Sequence, residues 1–361
     1  MIPLSRPVMD QKEMEAVAEV ISSGWLAAGA KVAAFEEEFA RYVGSKYTVA
    51  TSNGTTALHT ALLAASVGPG DRVVTTAFTF AATANAILMC GATPVFVDID
   101  EDTMNISPEK IAEVIKREKI KAVVIVHLYG LPCDMDEITA ILDGKEIILI
   151  EDCAQAHGAE FKGKKVGTFG LAAAFSFYAT KNMTTGEGGM LITDDPHIAR
   201  RARALVNHGC RRKYEHMMLG YNYRLTDIAA ALGLVQLGKL PGFNLARQRN
   251  AAFLTAALQG VPWLRLPASP AGCSPVFHQY TVRVDHRDEF AAHLATNGVG
   301  FGIFYPLPLY RQPFYRRLGY GDLCLPRTKQ ASEKVLSLPV HPGLSPEDLL
   351  RITEVVTAYS P

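Results

Sequence analysis

Two hydrophobic periods alternate through about the first two-thirds of the chain. Short apolar runs mark strand candidates at Tyr47–Thr51, Arg72–Thr76, Pro94–Asp98, Lys121–Val126, Glu146–Ile150, Ala172–Phe177 and Met190–Thr193. Several of them, such as AVVIV and IILI, are apolar at every position rather than at alternate ones. That is the pattern of strands covered on both faces. Helical patterns lie between them at Thr55–Ala65, Ala81–Cys90, Pro108–Arg117 and Pro196–Asn207. Alternation at this spacing predicts an α/β fold, with a mainly parallel seven-stranded sheet and helices on both sides.

A first helix is expected to open at Asp10, with Glu13 as its capping-box partner. Its apolar positions Met14, Val17, Ala18 and Ile21 fall on one face. After Leu240 the pair Pro241-Gly242 interrupts a long helical stretch, and the composition changes. A strand at Gln279–Val284, helices at Asp288–Thr296 and Pro346–Ala358, and Pro-rich loops such as FYPLPLY follow. These features predict a large domain over residues 1–240 and a smaller C-terminal α/β domain over 241–361.

The balance of 36 basic against 36 acidic residues gives no electrostatic reason to expect nucleic acid or an anionic membrane as partner. A small anionic ligand remains compatible, because it needs only a local site. The N-terminus MIPLSRPVMD turns polar at once, and no apolar run approaches the ~20 residues needed to span a bilayer. Six scattered cysteines without a CxxC pair read as free thiols in a reducing compartment, so a cytoplasmic location is expected. No histidine spacing of the HExxH kind occurs, and no metal is expected.

Three segments carry candidate chemistry. In TSNGTTALHTAL a strand gives way to a helix through Gly54, with Thr55 and Thr56 beside the free N–H groups of the first turn. This suits a phosphate, although a plain glycine turn with a helix cap has the same appearance. IILIEDCAQAHGA puts Asp152 at the carboxyl end of an apolar strand, where a carboxylate can hold a pyridinium nitrogen protonated. A helix cap, a metal ligand or a ribose ligand fits that position as well. In FSFYATKNMTTGEGGM, Lys181 follows an apolar-aromatic strand five residues after Ser176. A lysine withdrawn from water becomes a competent Schiff-base nucleophile, whereas most lysines are solvated surface charges.

Phosphate turn, strand-end aspartate and lysine occur in that order among further motifs: GWLAAG, AFTFAATANAI, PVFVDID, HLYGLPCDM, EDCAQAHGA, TGEGGM, GYNYR and LSLPVHP. With them the chain resembles the DegT/DnrJ/EryC1/StrS family, the sugar aminotransferases of pyridoxal-phosphate (PLP) fold type I. The resemblance implies PLP as cofactor, carried by Lys181, with Asp152 paired to its pyridine nitrogen and Gln155 near its 3-oxygen. It implies that Phe80 stacks on the ring, and that Gly54, Thr55 and Ser176 form the phosphate cup. Asn222 in GYNYR matches an asparagine that completes the cup from the neighbouring subunit, so a homodimer with shared active sites is implied. Lysine at 181, where the dehydratase branch has histidine, implies transamination. The implied donor is L-glutamate, and the implied acceptor a 3- or 4-keto-sugar linked to UDP, dTDP or GDP. A free keto-cyclitol acceptor and a non-catalytic PLP-binding regulator are the alternatives.

Further positions carry more than one reading. His157 lines the site or is a structural histidine. Arg211, Arg212 and Lys213 form a solvated loop, or approach a diphosphate across the dimer interface. Phe304, Tyr305 and Tyr310 close over the sugar, or simply pack beside prolines. Trp25 is ambiguous, and no C-terminal arginine has an evident context for gripping an α-carboxylate.

Overall fold

Strands that are apolar at every position must be covered on both sides, and this places them at the centre of the molecule. The computed structural model describes residues 1–361. Its first part contains α1 (Gln11–Ser23), α2 (Ala30–Val43), β1 (Tyr47–Thr51), α3 (Gly54–Ala64), β2 (Arg72–Thr76), α4 (Ala81–Met89), β3 (Thr93–Val97), α5 (Pro108–Arg117), β4 (Ala122–Val126), α6 (Met135–Leu142), β5 (Ile148–Asp152), β6 (Ala172–Ser176), β7 (Gly189–Thr193) and α7 (Pro196–Val206). The seven strands form one sheet in the order β1-β7-β6-β5-β4-β2-β3. Only β7 runs antiparallel to its neighbours. The other six strands therefore end at a common edge, where ligands of open α/β sheets collect. α3 is apolar nearly all round and is buried along most of its length against β6 and β7.

Tyr47–Thr51 and Arg72–Thr76 have the bounds expected from the sequence, and the other strands differ from it by one or two residues at one or both ends. The largest shift is in β5, which runs from Ile148 to Asp152 rather than from Glu146 to Ile150. Asp152 is thus the last paired residue of the strand, held between Val126 of β4 and Ala174 of β6. The capping box at Asp10 and Glu13 is present. The apolar stripe of α1, however, faces outward, with Met14 at 61% and Ile21 at 58% exposure. The buried face holds Glu13 instead, because Lys239 Nζ (2.6 Å) and Gln236 Nε2 (2.7 Å) bind its carboxylate.

The expected break at Pro241-Gly242 does not occur. α8 runs unbroken from Asp227 to Leu258 with Pro241 inside it. Proline deletes one backbone donor, and the remaining turns of so long a helix carry it through. The first half of α8 packs with α2 in one apolar cluster, and Ala251, Leu254 and Leu258 join another. That second cluster is built on a three-stranded antiparallel sheet of β8 (Leu264–Arg265), β9 (Tyr280–Val284) and β10 (Val335–Leu338). Around it lie α9 (Arg287–Thr296), α10 (Pro326–Lys334) and α11 (Pro346–Thr357). α8 is long and apolar enough to cross a membrane by length and composition alone. It nevertheless buries Asn244, Arg247 and Asn250, whose side chains donate to protein carbonyls in the interior.

Candidate active site

The common strand edge opens into a cavity of about 860 Å³. β1 enters it through Asn53, β5 through Asp152 and β6 through Ser176. Gly189 of β7 pairs with both Thr51 and Ser176 and brings the ends of β1 and β6 together. A side chain at 189 would meet the Asn53 carbonyl oxygen at 2.3 Å, so this junction needs glycine. Gly54, Thr55, Phe80, Asp152, Gln155, Ser176 and Lys181 all line the cavity, as expected from the sequence.

Its first corner is a cradle of donors. Asn53 caps α3 and takes the N–H of Thr56 (2.9 Å), which leaves the N–H groups of Gly54 and Thr55 without an intrahelical partner. Ser176 faces them so closely that a Cβ at Gly54 would lie 2.7 Å from Ser176 Cβ. Two free N–H groups at a helix N-terminus, with the hydroxyls of Thr55 and Ser176, make a site for a compact anion.

The second corner holds the ionisable pair. Asp152 is 4% exposed; its Oδ2 accepts from the Thr83 hydroxyl (2.8 Å) and its Oδ1 from Ala154 N–H (3.1 Å). Burial pushes this carboxyl up from its ordinary value, opposed by the Thr83 hydroxyl, by Ala154 N–H and by the charge of Lys181. Burial also lowers the Lys181 amine to about 8, against the pull of Asp152. Gln155 accepts the N–H of Tyr129 at Oε1 (2.6 Å), and this fixes its amide nitrogen towards the cavity and the Tyr305 hydroxyl (3.2 Å). Phe80 leaves 60% of its surface open on the cavity wall, tilted 33° from the Tyr305 ring.

Asn222 does not reach this cavity within one chain. It is exposed, and its backbone bridges to Asn207. His157 is fully buried against Phe175 and Phe177 and does not line the cavity; burial drives it down to about 3, so it is a neutral core residue. Phe304 and Tyr305 line the cavity, but Tyr310 does not, because it is buried with Phe96 and Tyr315 in a separate apolar cluster. Cys210–Arg212 and Glu215–His216 pair as an exposed β-hairpin, with Arg211, Arg212 and Lys213 on it. Trp25 is 80% exposed.

Sequence reasoning missed four groups here. Thr83 supports Asp152 from behind, Glu187 and His278 line the cavity, and a Tyr129–Phe304 hydrogen bond ties its far wall to the sheet edge. Behind the sheet His127, Glu151 and Cys153 bring potential metal ligands together. Hydrogen bonds already use the imidazole and carboxylate. Glu151 accepts from His127 Nε2 (3.0 Å) and from the N–H groups of Gly167, Phe169 and Gly170, while His127 Nδ1 accepts from Cys133 N–H (3.0 Å).

Residues 7–357 match the model of the DegT/DnrJ/EryC1/StrS aminotransferase family. A pleiotropic regulatory protein of Geobacillus stearothermophilus is 42% identical over 96% of this chain and 94% of its own. A dTDP-3-amino-3,4,6-trideoxy-alpha-D-glucose transaminase of Streptomyces venezuelae is 37% identical over 96% and 91%. Among solved structures, DesV of S. venezuelae superimposes with a TM-score of 0.92 at 37% identity, covering 95% of this chain and 93% of that one. The sugar aminotransferase Spr1654 of Streptococcus pneumoniae in its PLP form, named as putative, gives 0.92 at 29% identity over 98% and 97%. The chain belongs to the DegT/DnrJ/EryC1/StrS aminotransferase family, and is a PLP-dependent sugar aminotransferase of fold type I. The cavity suits that cofactor: the donor cradle that a Cβ at Gly54 would fill matches a phosphate, and the deep carboxylate and lowered amine match a pyridine ring and an aldehyde.

Proposed function

We propose that this member of the family moves an amino group from L-glutamate onto a 3- or 4-keto-sugar carried on a nucleotide, with Lys181 and Asp152 as its catalytic residues. One observation carries the reading: an amine lowered to about 8 and a buried carboxylate share a single cavity with a donor-lined cradle. The name of the S. venezuelae transaminase, which specifies a dTDP-linked amino sugar, supports the nucleotide.

When bound, PLP supplies an electrophilic carbon and a ring that takes up the electron pair released at the substrate carbon. The chain's own residues do the rest. Gly54 and Thr55 N–H and the Ser176 hydroxyl would hold the phosphate. The Asp152 carboxylate would favour a protonated ring nitrogen, and the Gln155 amide would donate to the ring oxygen. Phe80 offers an open aromatic face for stacking. Lys181 would hold the cofactor through its Nζ and would move the proton at the substrate carbon. With its amine at about 8, roughly a tenth is neutral at pH 7, against less than a thousandth for an ordinary lysine. In this reading Asn222 of a second copy completes the phosphate cup, and the working unit is a homodimer.

The test is a half-reaction. With L-glutamate alone, PLP-loaded protein should release one equivalent of 2-oxoglutarate per site. A panel of UDP-, dTDP- and GDP-linked keto-sugars then identifies the acceptor, with the site of amination mapped by NMR. A regulator without turnover releases no 2-oxoglutarate, and a keto-cyclitol enzyme keeps its turnover when the nucleotide is removed from the acceptor.

A further inference from the structure

The carboxylate of Asp152 has one side-chain donor, and that donor comes from a different element. Thr83 lies in the first turn of α4 and is 1% exposed. Its hydroxyl carries one proton, which goes to Asp152 Oδ2 (2.8 Å). The 3.0 Å contact between Thr83 and Thr79 must then run the other way, with Thr79 donating to the Thr83 oxygen. A directed chain results: Thr79 hydroxyl to Thr83 oxygen, Thr83 hydroxyl to Asp152 Oδ2. Thr79 stands on the cavity wall next to Phe80, so one helix start supplies both the open aromatic face and the hydroxyl chain.

The remaining groups around Asp152 do not duplicate this role. Lys181 follows β6, His127 follows β4, Tyr305 comes from the far wall, and Glu151 and Cys153 flank Asp152 on its own segment. Each acts on it through charge alone or not at all, and none hydrogen-bonds its carboxylate. A carboxylate in a water-poor site keeps its charge only if donors replace the water it has lost.

We propose that Thr83, with Thr79 behind it, is a positioning residue that keeps the Asp152 carboxylate ionised and rotationally fixed, so that its remaining lone pairs serve a cationic ring nitrogen in the cavity. The inference rests on the reading of Asp152 given above, but part of its test needs no cofactor. In the cofactor-free full chain, a carboxyl-13C aspartate label assigned with D152N reports the ionisation of Asp152. Thr83→Val should raise its midpoint by about one pH unit, since a hydrogen bond to a charged group is worth about that much. Thr83→Ser should restore the wild-type midpoint, and Thr79→Val should shift it less than Thr83→Val. The dissociation constant for PLP should rise about tenfold in Thr83→Val, in step with the midpoint.

A wild-type midpoint and PLP affinity in folded Thr83→Val, or a serine variant behaving like the valine one, overturns the proposal. Thr83→Ala substitutes for the valine variant if the latter does not fold. Failure of wild-type protein to attach PLP at Lys181 would instead sink the functional reading and leave the carboxyl titration to be read by itself.

Discussion

The floor of the cavity and the exposed segment 211–222 are built in opposite ways. On the floor, Asp152 has a donor on each oxygen, the Gln155 amide is locked by Tyr129 N–H, and the cradle is framed by a helix cap and by contacts that leave no room for a side chain. In the segment 211–222, Arg211, Arg212, Lys213 and Asn222 are exposed and lie outside the cavity of their own chain. A rigid floor suits a group that is the same in every turnover. Under the proposed function, the choice of sugar and nucleotide would fall to exposed surfaces such as this segment, which the sheet does not constrain.

This contrast is most vulnerable at its centre. Asp152→Asn keeps the shape of the floor and removes its charge, so kcat should fall on the order of 10²–10³-fold with little change in KM for the sugar. A loss confined to KM would mean that the floor only binds. The Lys181 amine offers a pH test. Because its value is lowered to about 8, the rate of PLP capture by cofactor-free protein should rise about tenfold per pH unit up to about 8 and then level off. Levelling near the ordinary lysine value of about 10.4 would show an amine that the site leaves unperturbed. Gly54→Ala should push Ser176 out of the cradle and weaken PLP about tenfold, the cost of about one charge-assisted hydrogen bond. The smallest effect belongs to the exposed hairpin. Replacing Arg211, Arg212 and Lys213 by alanine should raise KM for the nucleotide-sugar a few-fold, in a salt-dependent way, and leave the glutamate half-reaction unchanged. An unchanged KM would remove these three from substrate binding.

The hydrophobic pattern marks the element ends on which Gly54, Asp152 and Lys181 lie, while the roles expected of them came from the resemblance to the family. Gly54 follows a strand, Asp152 ends one, and Lys181 follows another. Thr83 was not legible as a partner of Asp152, since the two are 69 positions apart. The faint signal was the Thr79–Thr83 pair four residues apart at a helix start. The outward stripe of α1 was misleading for a related reason: periodicity defines a face but not its neighbour, and here a buried Glu13–Lys239 pair decides which side turns inward. Tyr310 shows the same limit. Its place in YPLPLY gave no hint that Phe96 and Tyr315 would enclose it while Tyr305 of the same motif reaches the cavity. Pro241 marked a helix end by local rule, and the packing of α8 on both sides overrode it.

Catalysis by this site requires that the Lys181 Nζ, and no other nitrogen, hold the cofactor. Borohydride reduction of PLP-loaded protein, followed by peptide mass spectrometry, should place one pyridoxyl group per chain on the Lys181 side chain. A reduced adduct on another lysine, or none anywhere, would contradict it.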